Sequence, residues 1–444
     1  MSHLGQLPPA VGAPLPGPRA EGLVETLAKT ECPAFTTRRA RRSEQAGAPH
    51  DPIVWAEAQG ANVVDADGNR FVDLTAGFGV AAIGHGHPRV VAAIEAQARR
   101  LLHALGDLHP SDVKIELLAR LSALSPWDGG RVVLALGGAD AVEAALKTAV
   151  LATGRPGVVA FEGGYHGLSH GPLAACGYSE AFRAPFRAQL NPHVTFAPFP
   201  RDGSLTEALS AVERAWPDEA PGAVLIEPLL GRGGVVLPPK GFLKGVGEIA
   251  RRAGALLIVD EIFTGFGRTG ARFRSVADGA DPDLICVGKA LGGGLPVSAL
   301  LGRPEVMAAW GDPDGAALHT GTFFGNPVTS AAALAALDVL EDEGLAERAL
   351  RVGTPFLTRL AELAPRHASI VDVRGVGLLA GIELESGELT LRIVRRLLER
   401  GYLTLPAGQN AEVLQVVPPL TIDPALLEAF VVALDEVLAA EGAR

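Results

Sequence analysis

Residues 131–152, RVVLALGGADAVEAALKTAVLA, predict a buried β-strand that turns directly into an α-helix. The apolar run RVVLAL ends in Gly-Gly-Ala at 137–139, and helical spacing begins at Asp140. Small residues let a ligand approach the backbone, and the free N–H groups of a helix N-terminus favour an anion. We therefore expect a phosphate site at this turn, although an ordinary tight strand–helix connection has the same residues.

The same alternation of short apolar runs and helical segments continues in both directions along the chain. Further strand-like runs lie at 157–161, 223–227, 255–261 and 283–288, and helical segments lie at 89–104, 242–254 and 327–342. Such alternation predicts an α/β fold with a mainly parallel sheet that helices cover on both faces.

Four segments are predicted from the changes in pattern along the chain. They are a tail and arm (1–45), the first part of a small domain with a hairpin (46–87), a large domain (88–330) and a C-terminal small domain (331–444). Asp67-Gly68-Asn69 between two alternating runs predicts the hairpin. The proline-rich residues 1–22 predict an extended tail, and the four arginines within 38–42 predict a solvated turn or a subunit-contact patch.

Composition excludes several classes of protein. The chain has 444 residues, is 48% hydrophobic and carries a net charge of −11, which argues against a disordered chain and against nucleic acid as the main partner. Three cysteines without a CxxC pair cannot form a disulfide framework, which favours a cytoplasmic location. No apolar run approaches the roughly 20 residues of a membrane span, and we expect no membrane association and no signal peptide.

Two strand ends and one loop carry residues suited to catalysis. Asp260 is the penultimate residue of the apolar run ALLIVDE (255–261), and Lys289 follows the run DLICVG (283–288). A carboxylate at the carboxyl end of a parallel strand is placed for ligand chemistry, and a desolvated lysine has a lowered pKa and acts as a nucleophile. Tyr165 and His166 follow another strand, where an aromatic ring can stack on a flat cofactor. A structural acid, a lysine that reaches solvent and a packed loop aromatic are the alternatives.

Three short motifs match other functions only weakly. GFGRTG (265–270) fits a dinucleotide fingerprint but precedes a poor helix, and GLSHG (167–171) fits a nucleophile elbow without a strand directly before Ser169. GHGH (84–87) has two histidines but no third ligand at a recognisable spacing, so we predict no metal.

Taken in order, the motifs resemble the class III (ω-aminotransferase-like) family of pyridoxal-phosphate enzymes. The resemblance covers about residues 50–430 and rests on the segments DADGNRFVDL (65–74), GHGHP (84–88), GGADAVEAALK (137–147), GGYHG (163–167), IEPLLGRGG (226–234), VDEIFTGFGRTG (259–270), GKALGGGLP (288–296) and HTGTFFGNP (319–327). It implies fold type I, with a large cofactor-binding domain and a smaller α+β domain built from the N- and C-terminal segments.

The resemblance also assigns roles to individual residues. Lys289 is implied to form the imine with pyridoxal 5′-phosphate and to move the substrate Cα proton, and Asp260 to keep the pyridinium nitrogen protonated. Thr322 is implied to reach the phosphate of the neighbouring subunit, so that a homodimer shares its sites. The implied cofactor-binding set is Gly138, Ala139, Tyr165, His166, Glu227, Asp260, Ile262, Lys289 and Thr322.

Three departures from the family pattern bear on the substrate. Arg232 stands where an acid is usual, Gln415 stands at the position of a carboxylate-binding arginine, and Phe263 replaces a polar residue. We hypothesise that Arg232 supplies the carboxylate-binding cation instead; pairing with a local acid is the alternative. The expected substrate-binding residues are Phe78, Arg232 and Gln415.

The implied activity is a ping-pong aminotransferase that moves an amino group from an amine or amino acid to a keto acid or aldehyde. The main alternative on the same scaffold is an amino acid racemase or epimerase, in which Lys289 returns the proton to the other face. A decarboxylase, a mutase and a non-catalytic cofactor-binding protein are less favoured.

Overall fold

A computed structural model of the protein describes residues 4–46, 52–311 and 317–442. The chain divides into a larger unit, Pro88–Glu347, and a smaller unit that combines the residues up to His87 with those from Arg348 onward. The predicted boundary near residue 330 falls inside a helix that packs within the larger unit, so the division observed lies further along the chain.

The N-terminal part of the smaller unit begins with two helices and a small sheet. Its elements are α1 (Pro18–Thr30), α2 (Pro33–Ala46), β1 (Trp55–Gln59), β2 (Asn62–Asp65), β3 (Arg70–Asp73) and α3 (Ala76–Gly79). The hairpin is confirmed, because β2 and β3 pair antiparallel. The Asp65 carboxylate accepts the backbone N–H groups of Asp67 (3.0 Å) and Asn69 (2.8 Å), and Gly68 has φ of +88°.

Two predictions for this region need correction. The arginines of 38–42 lie within α2 rather than in a turn, because Arg, Ala, Glu and Gln favour helix even without a clear apolar stripe. The alternative that they form a subunit-contact patch stays a prediction. The extended tail ends before residue 22, since α1 begins at Pro18, where a proline fits the first helical position. Residues 1–3 of that predicted tail lie outside the described residues.

The larger unit is built around one sheet. Its helices are α4 (Pro88–Arg100), α5 (Asp112–Leu124), α6 (Gly138–Thr153), α7 (His170–Ala174), α8 (Glu180–Arg183), α9 (Leu205–Arg214), α10 (Phe242–Arg252), α11 (Arg274–Ala277), α12 (Pro304–Met307) and α13 (Pro327–Asp342). Its strands are β4 (Arg131–Ala135), β5 (Val158–Phe161), β6 (Val194–Ala197), β7 (Ala223–Ile226), β8 (Leu256–Asp260), β9 (Leu284–Val287) and β10 (Ser298–Gly302).

The sheet confirms the predicted α/β fold. Its strand order is β4-β10-β9-β8-β7-β5-β6, and only β10 runs antiparallel to its neighbours. All four residues of β5, β7 and β9 are buried, as expected for strands that are covered on both faces.

Two hydrophobic cores lie on opposite faces of this sheet. Alternate residues of β7 divide between them, with Val224 and Ile226 in the core that includes α9 and α10, and Ala223 and Leu225 in the core that includes α6. The buried face of α6 is rich in alanine, which allows the helix to pack close to the strands. The N-terminus of α6 is thereby held near the carboxyl edge of the sheet.

The C-terminal elements complete the smaller unit. They are α14 (Leu345–Ala361), which begins in the larger unit, β11 (Ile370–Val376), β12 (Leu379–Leu384), α15 (Gly387–Glu399), β13 (Tyr402–Leu403), β14 (Leu405–Ala407), β15 (Val413–Val416) and α16 (Pro424–Gly442). Strand β13 pairs parallel with β3, so the N- and C-terminal segments share one sheet. A second, antiparallel sheet has the order β11-β12-β15-β14.

None of the helices described is long and apolar enough to cross a membrane.

Candidate active site

Three chemically active side chains lie at the carboxyl ends of three adjacent strands of the large sheet. Glu227 comes directly after β7, Asp260 is the last residue of β8, and Lys289 lies two residues after β9. The carboxyl ends of parallel strands meet at one edge, so these residues converge there. Lys289 has φ of +43°, an uncommon backbone conformation for a residue other than glycine.

Asp260 is buried against a histidine. Its Oδ2 lies 2.8 Å from His166 Nδ1, and its Oδ1 accepts the backbone N–H of Ile262 at 3.1 Å. Burial disfavours the charged imidazole, but the hydrogen bond to Asp260 and the charges of Asp260 and Glu227 outweigh it and raise the pKa of His166. His166 Nε2 is buried and has no hydrogen-bond partner among the described residues.

Glu227 joins two loops of the site. Its Oε1 accepts the backbone N–H of Tyr165 at 2.9 Å, and its Oε2 accepts that of Gly231 at 3.0 Å. Burial, to which the charge of Asp260 adds, raises the pKa of Glu227 to about 7, although His166 and the two N–H groups oppose the shift. Glu227 thus acts as a clamp between the loop of Tyr165 and the loop of Arg232.

Lys289 is the nucleophile candidate of this cluster. Burial lowers the pKa of Lys289 to about 8; the charges of Asp260 and Glu227 act against this shift, while those of Arg232 and Arg268 add to it. Its Nζ lies 4.2 Å from the centroid of the Phe263 ring, within cation–π range. A lysine with this pKa is partly neutral near pH 7, which the attack on a carbonyl requires.

The N-terminus of α6 meets the same cluster through Ile262. A Cβ added to Gly138 would lie 2.8 Å from Ile262 Cδ1, and one added to Gly288 would lie 3.5 Å from Ile262 Cγ2. The first turn is ordered by Gly137, whose N–H donates to Asp140 Oδ2 at 2.8 Å. Gly138 and Ala139 are the first two residues of this 16-residue helix, and N–H groups in the first turn of a helix have no partner within the helix, as an anion site requires.

These residues fit pyridoxal phosphate. A reactive amine, a buried carboxylate for the ring nitrogen and a helix N-terminus for the phosphate are three separate requirements of that group, and one edge of the sheet supplies all three. The close contact at Gly138 leaves no room for a side chain beside this helix N-terminus.

Within the described ranges, no group of three or more His, Cys, Asp or Glu residues is arranged to hold a metal ion.

Arg232 lies among aromatic side chains. Its Cζ is 4.4 Å from the ring centroid of Tyr165, 4.8 Å from that of Tyr178 and 5.7 Å from that of Phe182. One face of Tyr165, the residue predicted to stack on the cofactor, therefore contacts a guanidinium. The hypothesis that Arg232 binds a carboxylate stays a prediction at this point.

Three further predicted residues are Thr322, Phe78 and Gln415. Thr322 is exposed in a turn of the larger unit, and its role in a neighbouring subunit stays a prediction. Phe78 and Gln415 belong to the smaller unit, where Phe78 is 68% exposed with φ of +64° and Gln415 is buried on β15, paired with Gly381 and Leu405.

Sequence reasoning missed Arg268, Tyr178 and Phe182. Arg268 is buried, and its charge lowers the pKa of Lys289. Arg268 lies in GFGRTG (265–270), which we weighed as a dinucleotide motif, and in the family segment VDEIFTGFGRTG (259–270), but neither interpretation assigned it a role. In the structure this segment folds back on itself, with the N–H of Phe266 donating to the carbonyl of Arg272 at 2.7 Å, and it does not open a long helix.

Comparison with known proteins agrees with the geometry. The family model "Aminotransferase class-III" matches residues 44–438. An acetylornithine aminotransferase of Methanothermobacter thermautotrophicus is 40% identical over 87% of this chain and 94% of its own length, and an alanine/serine racemase of Pyrococcus horikoshii is 32% identical over 93% and 89%. The solved structure of an amine transaminase from an uncultivated Pseudomonas species, in a PLP-bound form, has a TM-score of 0.82 at 30% identity, covering 88% of this chain and 96% of that one.

The match to the family model extends over most of the chain, and the strand-end cluster carries the chemistry that such enzymes need. The protein belongs to the class III aminotransferases, enzymes that depend on pyridoxal phosphate.

Proposed function

We propose that Lys289 and Asp260 are the catalytic pair of a ping-pong transfer of an amino group from an amine or amino acid to a keto acid or aldehyde. The observation that carries this proposal is the lysine with a pKa of about 8 beside the buried Asp260–His166 pair. Bound pyridoxal phosphate supplies an electron-accepting ring, which makes the Cα–H of an attached amine acidic.

Each residue of the cluster has a distinct task in this proposal. The Lys289 amine holds the cofactor between turnovers and carries the substrate Cα proton during them, which its lowered pKa permits at neutral pH. The Asp260 carboxylate holds a proton on the ring nitrogen, and His166 orients that carboxylate through Nδ1. Gly138 and Ala139 offer backbone N–H groups to the phosphate, and Ile262 and Tyr165 border the ring.

A spectroscopic experiment tests the proposal directly. The purified protein is expected to be yellow with cofactor, to bleach when an amine donor is added, and to release one keto product for each cofactor. Borohydride reduction followed by peptide mapping should place the label on Lys289. Lys289→Ala should abolish both signals, whereas Lys244→Ala, a change on the exposed surface of α10, should abolish neither. A label on another lysine would contradict the assignment.

Racemisation is the second candidate function, because the alanine/serine racemase of Pyrococcus horikoshii aligns over 93% of this chain. A racemase would return the proton to the opposite face of the substrate and release no keto product. The two activities separate in one assay with L-alanine, since a loss of optical rotation without pyruvate indicates racemisation and stoichiometric pyruvate indicates transfer.

We infer further that the enzyme is a cytoplasmic homodimer with shared sites. The exposure of Thr322 and of its apolar neighbour Phe323 supports the shared dimer. The three cysteines, which form no disulfide, support the cytoplasmic location. Mixing Lys289→Ala protomers with Thr322→Ala protomers tests sharing, because a mixed dimer would contain one complete site. Activity above that of either parent supports a shared site, and no gain on mixing contradicts it.

A further inference from the structure

Arg232 is a half-buried cation held by aromatic rings rather than by an acid. We call Tyr165, Tyr178 and Phe182 the aromatic clamp, since the guanidinium carbon lies within 4.4 to 5.7 Å of all three ring centroids. Among the residues that the structure describes, no carboxylate lies within ion-pair distance of Arg232. The alternative that Arg232 pairs with a local acid is therefore not supported.

The rings of the clamp also brace one another. Tyr165 and Tyr178 meet edge to face at 6.1 Å and 86°, and Tyr178 stacks on Phe182 at 5.8 Å and 26°. Aromatic pairs in these arrangements attract each other beyond simple burial. The clamp thus limits the positions that the guanidinium can take.

The backbone beside Arg232 is fixed as well. The N–H of Gly231 donates to Glu227, and a Cβ at residue 231 would lie only 2.4 Å from Phe263 Cδ1. A Cβ at Gly233 would lie 2.7 Å from the carbonyl oxygen of Gly163. Close packing on both sides of Arg232 leaves its loop little freedom.

A guanidinium that is held by aromatic rings can still bind an anion through its N–H groups. Contact with ring faces satisfies part of its charge but none of its N–H donors. A cation that is partly removed from water gains most from a carboxylate, which it can bind through two parallel hydrogen bonds. Arg232 also lies close enough to lower the pKa of Lys289, so a carboxylate bound there would lie near the reactive amine.

We propose that the aromatic clamp holds Arg232 as a permanent subsite for the substrate carboxylate, so that the enzyme favours substrates that carry one. This inference rests on the proposed function. Tyr178 and Phe182 act through Arg232 and are positioning residues. Because the clamp leaves the cation in place, the same subsite serves the amino acid donor and the keto acid acceptor.

The test compares two acceptors of similar size, pyruvate and propanal, of which only pyruvate has a carboxylate. Arg232→Gln should raise the KM for pyruvate by about tenfold or more, the loss expected for hydrogen bonds to a charged group, and leave the KM for propanal within about twofold. Arg232→Lys should lie between, since it keeps the charge but loses the paired donors. Tyr178→Leu should raise the KM for pyruvate by a smaller factor, with little change in kcat.

Binding of propanoate, which has a carboxylate but no carbonyl, gives a readout that is independent of turnover. Calorimetry on the cofactor-loaded protein should show weaker binding of propanoate to Arg232→Gln by about tenfold or more. The matched control is Arg183→Gln, because Arg183 also lies over a ring, that of Phe196 at 4.2 Å, but is paired with Glu180. It should leave propanoate binding unchanged, and unchanged cofactor absorbance shows that each variant is folded.

Failure of the carboxylate subsite and failure of the aminotransferase activity give different results in these assays. Equal propanoate affinity in the wild type and Arg232→Gln, or an equal loss for both acceptors, would overturn the carboxylate subsite and leave the aminotransferase assignment intact. A wild-type protein whose cofactor does not bleach with any amine donor would overturn the proposed function, whereas the propanoate result still decides the subsite.

Discussion

Asp260 and Glu227 end neighbouring parallel strands and are each only 5% exposed, yet their surroundings differ. Asp260 faces an imidazole whose pKa it raises, whereas Glu227 accepts two backbone N–H groups and has a pKa raised to about 7 by burial. A carboxylate beside a cation can serve a ligand electrostatically, while one that binds only backbone serves to hold loops. The partners of a strand-end acid, rather than its residue type or strand position, therefore decide its role.

The largest effect is expected when the acid paired with His166 is neutralised. Asp260→Asn keeps the shape but removes the negative charge beside the ring nitrogen, so kcat for the half-reaction with an amine donor should fall by about 10²–10³-fold. Single-turnover absorbance measurements would show this while cofactor remains bound.

Two further variants serve as controls for Asp260→Asn, one at a buried acid and one at an exposed acid. Glu227→Gln should lower the same rate constant far less, because Glu227 is assigned to the loops. Asp342→Asn removes an exposed acid that pairs with Arg89 on the surface and should change nothing. If Asp260→Asn and Glu227→Gln slowed the half-reaction equally, the proposed difference between the two acids would be wrong.

The next effect concerns the pH dependence of stability. The pKa of Glu227 rises from 4.5 to about 7 on folding, so between these values the folded chain keeps a proton that the unfolded chain releases. Its contribution is fully present below about pH 4.5 and is lost as pH rises through about 7, by about 3 kcal/mol in all. Glu227→Gln lacks this titration.

Urea unfolding of both proteins between about pH 5 and pH 8 checks this sign. As pH rises, the free energy of unfolding of Glu227→Gln should increase relative to that of the wild type. Curves that stay parallel over this range would show that Glu227 does not hold its proton in the folded state.

A smaller effect is expected when the Glu227 clamp is disturbed from its glycine side. Gly231→Ala would place a methyl group 2.4 Å from Phe263 Cδ1 and strain the hydrogen bond to Glu227, which should cost about 1–3 kcal/mol of stability. Gly22→Ala on the exposed face of α1 meets nothing within 4 Å and should be neutral or slightly stabilising. Thermal unfolding measures the melting temperatures of both variants. Equal melting temperatures would argue against close packing of the Gly231 loop on Phe263 and Glu227.

The strand-end residues were predictable because their signals are local. Asp260 and Lys289 each end an apolar run, and parallel strands bring such ends together whatever the intervening sequence. Strand β10 was not predicted at all, and its direction was not predictable either, since an apolar run does not encode whether its partner is parallel. The aromatic clamp was also missed, because Tyr178 and Phe182 lie about 50 residues from Arg232, and only tertiary packing brings them together.

The smallest effect is expected on the Lys289 amine, on which the charges of both acids act. Burial lowers the pKa of Lys289 to about 8, and the charge of Asp260 opposes this more than that of Glu227 does. The neutral amine captures pyridoxal phosphate, so the capture rate of cofactor-free enzyme should rise about tenfold per pH unit below about 8 and level off above it. Asp260→Asn should move this midpoint to lower pH, and Glu227→Gln should move it in the same direction by less. Stopped-flow absorbance across pH would measure both shifts; a larger shift for Glu227→Gln would mean that Glu227, rather than Asp260, is the charge that Lys289 senses most.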